Sequence, residues 1–187
     1  MKKNLGAEGE LFPQSVFIVA SYGEDGTPNA MNVAWAGECT RKEVCINIGD
    51  HKTTENIVAR GAFTVAPADA AHVVEADYFG IETGNRVTDK LGRAGLTASK
   101  AETVDAPVVN EFPVCLECEF IEYQADEYGL GVIGRVKNVT ADERVMADGK
   151  IDISKINAIA FDPYTHGYYK VTERVGEAFK DGLKLKK

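Results

Sequence analysis

Asn29-Ala30-Met31-Asn32-Val33-Ala34-Trp35, followed by His51-Lys52-Thr53-Thr54-Glu55-Asn56-Ile57, is the part of this chain that decides how the rest is read. The first stretch is a strand that leaves the turn Glu24-Asp25-Gly26-Thr27-Pro28, where Asp-Gly supplies the positive φ a hairpin needs. The second is a loop entering a short helix, with Thr54 or Thr53 as hydroxyl N-cap and Gly61 as the stop after Arg60. A helix N-terminus with free N–H groups and a nearby cation is an anion site. The same residues also suit an ordinary cap with a solvated lysine. A strand running beside such a site offers backbone along which a flat heterocycle can lie, with its phosphate held without a P-loop.

Outward from this pair, residues 15–21 form a continuous apolar run, the mark of a strand covered on both faces. Strands are expected over 29–36, 43–48 and 62–66, the last broken by Pro67. A helix capped by Asp69 is expected over 69–79, with Ala70, Val73, Val74 and Asp77 spaced at three to four. Residues 80–106 show no period and are punctuated by Gly84, Gly92 and Gly95, as in loops that carry function. A long strand over 113–124 is expected to turn at Asp126-Glu127-Tyr128-Gly129 and pair with 130–139. A last core strand covers 157–161, ahead of a polar, aromatic tail. Many short strands with two or three helices predict an antiparallel barrel with helical additions, a mainly β (α+β) chain in one domain over 1–187.

Composition narrows the function. The net charge is -8 with pI near 5.0, so no general nucleic-acid or anionic-membrane surface is expected. Any phosphate site must therefore be built locally from Lys, hydroxyls and backbone N–H groups. Met1-Lys2-Lys3 has no apolar signal core behind it and no run approaches a membrane span, so the expectation is cytoplasmic. Cys39, Cys45, Cys115 and Cys118 then behave mostly as small hydrophobes in a reduced compartment. In such a compartment the sequon Asn138-Val139-Thr140 carries no meaning.

Two motifs are decoys. Gly129-Leu130-Gly131-Val132-Ile133-Gly134 matches GxGxxG, but the following Arg135-Val136-Lys137-Asn138-Val139 alternates like a strand instead of opening a helix. Cys115-Leu116-Glu117-Cys118 resembles a zinc knuckle, yet residues three apart in a strand point to opposite faces, and His51, His72 and His166 show no ligand spacing. Metal is not expected. Trp35 is either a core indole or a wall for a bound ring; Asn29 and Asn32 favour the wall, because paired amides have little purpose in a core. Cys39, just past Trp35, is placed to approach a bound ligand. Lys90, taken alone, reads as a surface lysine. No catalytic triad, HExxH or P-loop is present, so no catalytic residue is assigned.

The order and spacing of several pieces resemble the flavin reductase-like family, the FMN-binding split barrels that include flavoredoxin. These pieces are Asp25-Gly26-Thr27-Pro28-Asn29-Ala30-Met31-Asn32, Trp35, Lys52-Thr53, Tyr78-Phe79-Gly80, Asp89-Lys90, Gly95-Leu96, Leu116-Glu117-Cys118, Gly134-Arg135-Val136 and 176–182. The likeness spans most of the chain, 14–183. It implies an antiparallel split β-barrel with a few peripheral helices, a homodimer, and FMN near the subunit interface. Carried onto matching positions, Asn29, Met31, Asn32 and Trp35 line the flavin, while His51, Lys52, Thr53 and Thr54 hold its phosphate or ribityl chain. Lys90 approaches the ring or phosphate, from its own subunit or the partner, and Phe161 lies near the ring. Many members carry a histidine where this chain has Gly129, which puts direct NAD(P)H oxidation in question. The implied activity is electron transfer between NAD(P)H or a small redox protein and flavin or another acceptor; the alternative is a non-catalytic flavin carrier or sensor.

Overall fold

The computed structural model describes residues 1–7, 9–125 and 131–186. Its strands are β1 (Gln14–Ser15), β2 (Phe17–Tyr22), β3 (Pro28–Val33), β4 (Ala36–Thr40), β5 (Glu43–Ile46), β6 (Ala62–Pro67) and β7 (Ala98–Lys100). They continue as β8 (Pro107–Val109), β9 (Val114–Gln124), β10 (Gly131–Ala141), β11 (Met146–Ala147), β12 (Lys150–Ile151), β13 (Ile159–Asp162) and β14 (Gly167–Lys170). Four short helices, α1 (Lys52–Arg60), α2 (Val73–Ile81), α3 (Lys90–Arg93) and α4 (Ile153–Ile156), sit around them.

Seven strands form one sheet in the order β3-β2-β6-β9-β10-β5-β4, each neighbour antiparallel to the next. The two edge strands, β3 and β4, are consecutive in the chain and joined only through Ala34-Trp35. A sheet whose opposite edges are tied by two residues has to curl, and the seam between those edges is the split of the barrel. Trp35 is its corner, with its carbonyl accepting the Asn47 N–H at 2.8 Å.

Burial follows the pleat. In β2, Ile18 and Ala20 pack into one cluster with Ala66, Phe79, Leu91 and Phe112, while Val19 points the other way, to Ile46, Ile57, Phe63 and Val132. That is why 15–21 reads as an unbroken apolar run: both faces of this strand are covered. The small sheet β1-β13-β14 and helix α2 close one side, and Ile57 of α1 plugs the barrel interior. Among the described residues, no helix is long and apolar enough to cross a membrane.

Several expectations need correction at their edges. The strand expected over 29–36 stops at Val33, and the chain bends before β4, which the sequence reading missed. Asp69 does cap a helix, but a single 3₁₀ turn (Ala70–His72), whose Ala71 and His72 N–H groups it accepts, before α2 begins. Residues 80–106 hold α3 and β7, and β7 pairs with β8. The loop between them is tied down by Glu117, a buried carboxylate accepting from Glu102 N–H, Thr103 N–H and Thr103 Oγ1. The turn expected at Asp126–Gly129 lies outside the described residues, as do Gly129 and Leu130 of the glycine motif. The rest of that motif is strand: β10 pairs with both β9 and β5.

Gly134 shows what the motif does. A Cβ there would collide with the ring of Phe63, which is fully buried, and a core this dense has no room to yield. Gly134→Val is expected to cost about 3 kcal/mol in urea unfolding, with a midpoint shift and little change in slope.

Candidate functional site

The polar end of the site forms where edge strand β3 meets the start of α1. The N-cap of α1 is His51 in extended backbone, with no side-chain cap bond. Neither threonine caps the helix, which corrects the sequence reading. Thr54 Oγ1 donates to the Gly49 carbonyl at 2.7 Å, and Thr53 Oγ1 accepts from Asn29 Nδ2 at 2.8 Å. The helix's first N–H groups are therefore left uncapped, and its Glu55 N–H is bonded to the His51 carbonyl. Asn29 is buried, and among the described residues its Oδ1 has no hydrogen-bond partner. A buried orphan acceptor is costly and is the kind of group a ligand satisfies.

Two cavities open on this cluster. One, of about 150 Å³, is lined by Met31, His51, Lys52, Thr53, Lys90 and the segment Phe79 to Gly84. The other, of about 260 Å³, shares Lys52 and Gly84 with it and adds Asn29, Asn56, Thr88 and the turn Gly23 to Asp25 with Thr27. Gly84 closes over the cluster: a Cβ there would stand 2.6 Å from Asn29 Oδ1. Lys52 reaches Glu55 at 3.2 Å in an exposed pair that is weak enough to yield to an incoming anion.

Lys90 is not a surface lysine. It is 2% exposed, at the start of α3, and its Nζ donates to the carbonyls of Phe79, in the last turn of α2, and of Glu82, just past its end, at 3.1 and 2.7 Å. Burial pushes its pKa down to about 8, with Glu82 opposing part of the shift. It reaches the cavity from the same chain as Lys52 and Thr53, so no second subunit is needed to bring it there.

The aromatic end lies at the barrel seam. Trp35 is 52% exposed, which removes the core-indole alternative. Its ring meets Phe161 edge-on at 6.3 Å, and Phe161 in turn stacks on His166 at 6.2 Å and contacts Tyr168 at 5.8 Å. Asn32 Nδ2 donates to Tyr168 Oη at 3.3 Å, and Tyr168 Oη donates to Asp77 at 2.9 Å. Burial, then the Asp77 hydrogen bond, holds the Tyr168 phenol up at about 12. Met31 lies between the two ends on β3. Cys39 lines neither cavity: it is exposed on β4, and partial desolvation together with the neighbouring Cys45 thiol pushes its pKa up to about 11. Among the described residues there is no group of side chains fit to hold a metal.

The sequence reading missed Gly84, the Phe79–Glu82 carbonyls and Tyr168. The glycine punctuation of 80–95 was the one signal pointing to the first of these. Nothing in the tail announced that Tyr168 would reach back across the chain to Asn32.

A curled antiparallel sheet with an anion-ready helix start and exposed rings at its seam is the architecture of a flavin-binding split barrel. A family model of flavin reductase like domains matches residues 9–155, and the chain belongs to that family. Flavoredoxin of Desulfovibrio vulgaris (Miyazaki F) is 38% identical, with a TM-score of 0.91, over 97% of this chain and 100% of that one. Flavoredoxin from Methanosarcina acetivorans superposes with a TM-score of 0.89 at 24% identity, over 98% and 100% of the two chains. An FMN-binding domain of a flavin reductases-like enzyme from Shewanella baltica OS155 gives 0.75 at 18% identity, over 88% and 89%. A search of curated proteins returned no match.

The state of Lys90 is open to measurement. Its folded pKa of about 8 lies below the ordinary lysine value of 10.5, so between these values the unfolded chain binds more protons and this group's contribution to stability rises with pH. The buried thiols Cys115 and Cys118, held near 12, act in the opposite sense, but equally in wild type and variant. The stability of wild type relative to Lys90→Met is therefore expected to grow by about 1 kcal/mol between pH 7.5 and 9, read from urea midpoints.

Proposed function

We propose that this chain binds FMN and, as a homodimeric cytoplasmic protein of the flavoredoxin or flavin reductase type, passes electrons between a reduced donor and an acceptor. The observation that carries the reading is the orphaned Asn29 Oδ1, set beside the uncapped start of α1 and opening on a cavity. A phosphorylated, hydroxyl-rich ligand satisfies both: its hydroxyl hydrogens answer the amide oxygen, and its phosphate answers the helix N–H groups and Lys52. The similarity to a flavoredoxin over nearly the whole chain supports the same ligand class.

The roles of the residues follow from their positions. His51, Lys52, Thr53 and the backbone of Thr54 hold the phosphate and ribityl chain, with Asn29 fixing Thr53. Met31 and Asn32 line the ring along edge strand β3, whose unpaired backbone groups remain available to a planar heterocycle. Trp35 and Phe161 give the ring an apolar wall. Lys90 holds a positive charge behind the pocket, which favours a ring that gains negative charge on reduction. Cys39 has no part in this arrangement. Bound FMN would supply the electron-transfer chemistry, and the protein orients it and tunes its charge. The partner is flavin or a small redox protein, with NAD(P)H or another protein as donor.

The protein as purified is expected to carry, or take up, FMN at micromolar concentration with a yellow flavin spectrum that bleaches on anaerobic reduction. A colourless protein that ignores FMN removes the proposal. Turnover with NADH or NADPH marks a reductase, whereas binding without turnover marks a carrier or a protein served by another donor. Trp35→Ala is expected to weaken FMN by about 1 to 3 kcal/mol through lost contact area. Unchanged affinity in that titration takes Trp35 out of the site.

A further inference from the structure

The hydrogen-bond chain from Asn32 through Tyr168 to Asp77 has a direction, and its far end sets that direction. Asp77, exposed on α2, is a carboxylate and can only accept. Tyr168 Oη lies 2.9 Å from it and has a single hydrogen to give, which the carboxylate takes. Burial and that bond hold the phenol up at about 12, so the hydrogen stays in place at neutral pH. With its hydrogen spent, Tyr168 Oη can only accept from Asn32, 3.3 Å away. The near arm of the Asn32 amide is therefore Nδ2 and the outward arm is Oδ1. The two arms of an amide are alike in shape, so only such a chain fixes which way it is turned.

The outward arm is free. Asn32 Oδ1 takes no hydrogen bond among the described residues and, unlike Asn29 Oδ1, is not sealed from solvent. Its surroundings are those of the site. Asn32 follows Met31 on β3, and Gly80 of α2 packs against it, since a Cβ added there would stand 3.4 Å from Asn32 Cβ. Met31 and Gly80 both line the cavity that contains Lys52, Thr53 and Lys90. Tyr168 contacts Phe161, the ring that meets Trp35 edge-on.

We propose that Asp77 and Tyr168 are positioning residues that hold the Asn32 amide with its oxygen toward the ligand, so that this point of the site takes an N–H donor. The identity of that donor rests on the FMN reading. Oxidised isoalloxazine carries one N–H, at N3 between two carbonyls, and that is the group Asn32 Oδ1 selects. A ring with an acceptor in that place leaves two oxygens facing each other and is disfavoured. Asp77 and Tyr168 act through Asn32.

The first test needs no flavin. In a nitrogen–proton correlation spectrum of the unliganded protein, the Asn32 side-chain amide, assigned by its loss in Asn32→Asp, is expected to shift in Tyr168→Phe. An unmoved resonance overturns the network. The second test reverses the chain. Asp77→Lys, at an exposed helix position where lysine is tolerated, replaces an acceptor by a group that only donates. Tyr168 then sends its hydrogen to Asn32 Oδ1, and the amide turns over. FMN affinity is expected to fall about tenfold, because a donor now faces a donor. The added cation by itself favours a phosphate ligand, so charge works against this loss. In Asp77→Lys/Tyr168→Phe the hydroxyl that transmits the reversal is gone, and affinity is expected to recover to within about twofold of Tyr168→Phe. A merely structural role does not make binding improve when a second group is removed. Unchanged affinity in Asp77→Lys, or a loss that persists in the double variant, overturns the proposal, with urea midpoints checking that each variant is folded. A parent that ignores FMN strikes the flavin reading, while the amide shift in Tyr168→Phe still decides whether the network turns Asn32.

Discussion

The Ala34-Trp35 link between the two edges of the main sheet is the constraint on which the rest of the structure depends. Because β3 and β4 are consecutive in the chain yet terminal in the sheet, the seven strands must bend round to meet at that corner. The bend encloses the cluster of Val19, Ile46, Phe63 and Val132 on one side and leaves β3 with an unpaired edge on the other. An open edge is usually a liability that proteins cover. Here α1 arrives at one end of that edge and the Trp35–Phe161 pair stands at the other, and the proposed ligand lies along the edge in place of another strand.

The polar end of the site illustrates how the cluster is held without a dedicated loop. In a typical helix start the cap residue's oxygen takes an orphan N–H. In α1 both available hydroxyls are engaged elsewhere, Thr54 with Gly49 and Thr53 with Asn29. That diversion leaves donors open at the helix start and an acceptor orphaned at Asn29, a local cost to stability at a place suited to a ligand. Lys90 shows the same bargain in charge. A buried ammonium is expensive, and two backbone carbonyls at the C-terminal end of α2 offset part of that cost. The compensation is incomplete, which is why its proton is held loosely.

Much of this was legible in the residues. The apolar run at 15–21 announced a strand covered on two faces, and β2 is one. The alternation after Gly134 identified a strand and set aside the dinucleotide motif; Gly134 serves to let Phe63 approach. The helix α1 was visible in place although its N-cap was not, and its Gly61 stop followed from capping chemistry, with Gly61 in left-handed backbone as expected. What was not legible depended on distant partners. Lys90 reads as a surface residue because the carbonyls it caps belong to another helix, and Tyr168 sits in an uninformative tail although it reaches Asn32 from 136 residues away. The cap at α1 was misassigned for the same reason: a threonine's hydroxyl goes to whichever acceptor the tertiary structure brings nearer.

Taken by itself, the sequence determined the antiparallel strands, the position of α1, the strand after Gly134 that sets the dinucleotide motif aside, and the resemblance that pointed to flavin. Those properties are local: they come from side-chain alternation, turn chemistry and spacing, all of which act over a few residues. Tertiary structure alone decided which edges of the sheet meet, that Trp35 stands in the open, that Asn29 keeps an unsatisfied oxygen, and that the last sixteen described residues leave the body exposed. Burial and hydrogen-bond satisfaction are properties of contacts between segments far apart in the chain, and no short stretch of sequence carries them.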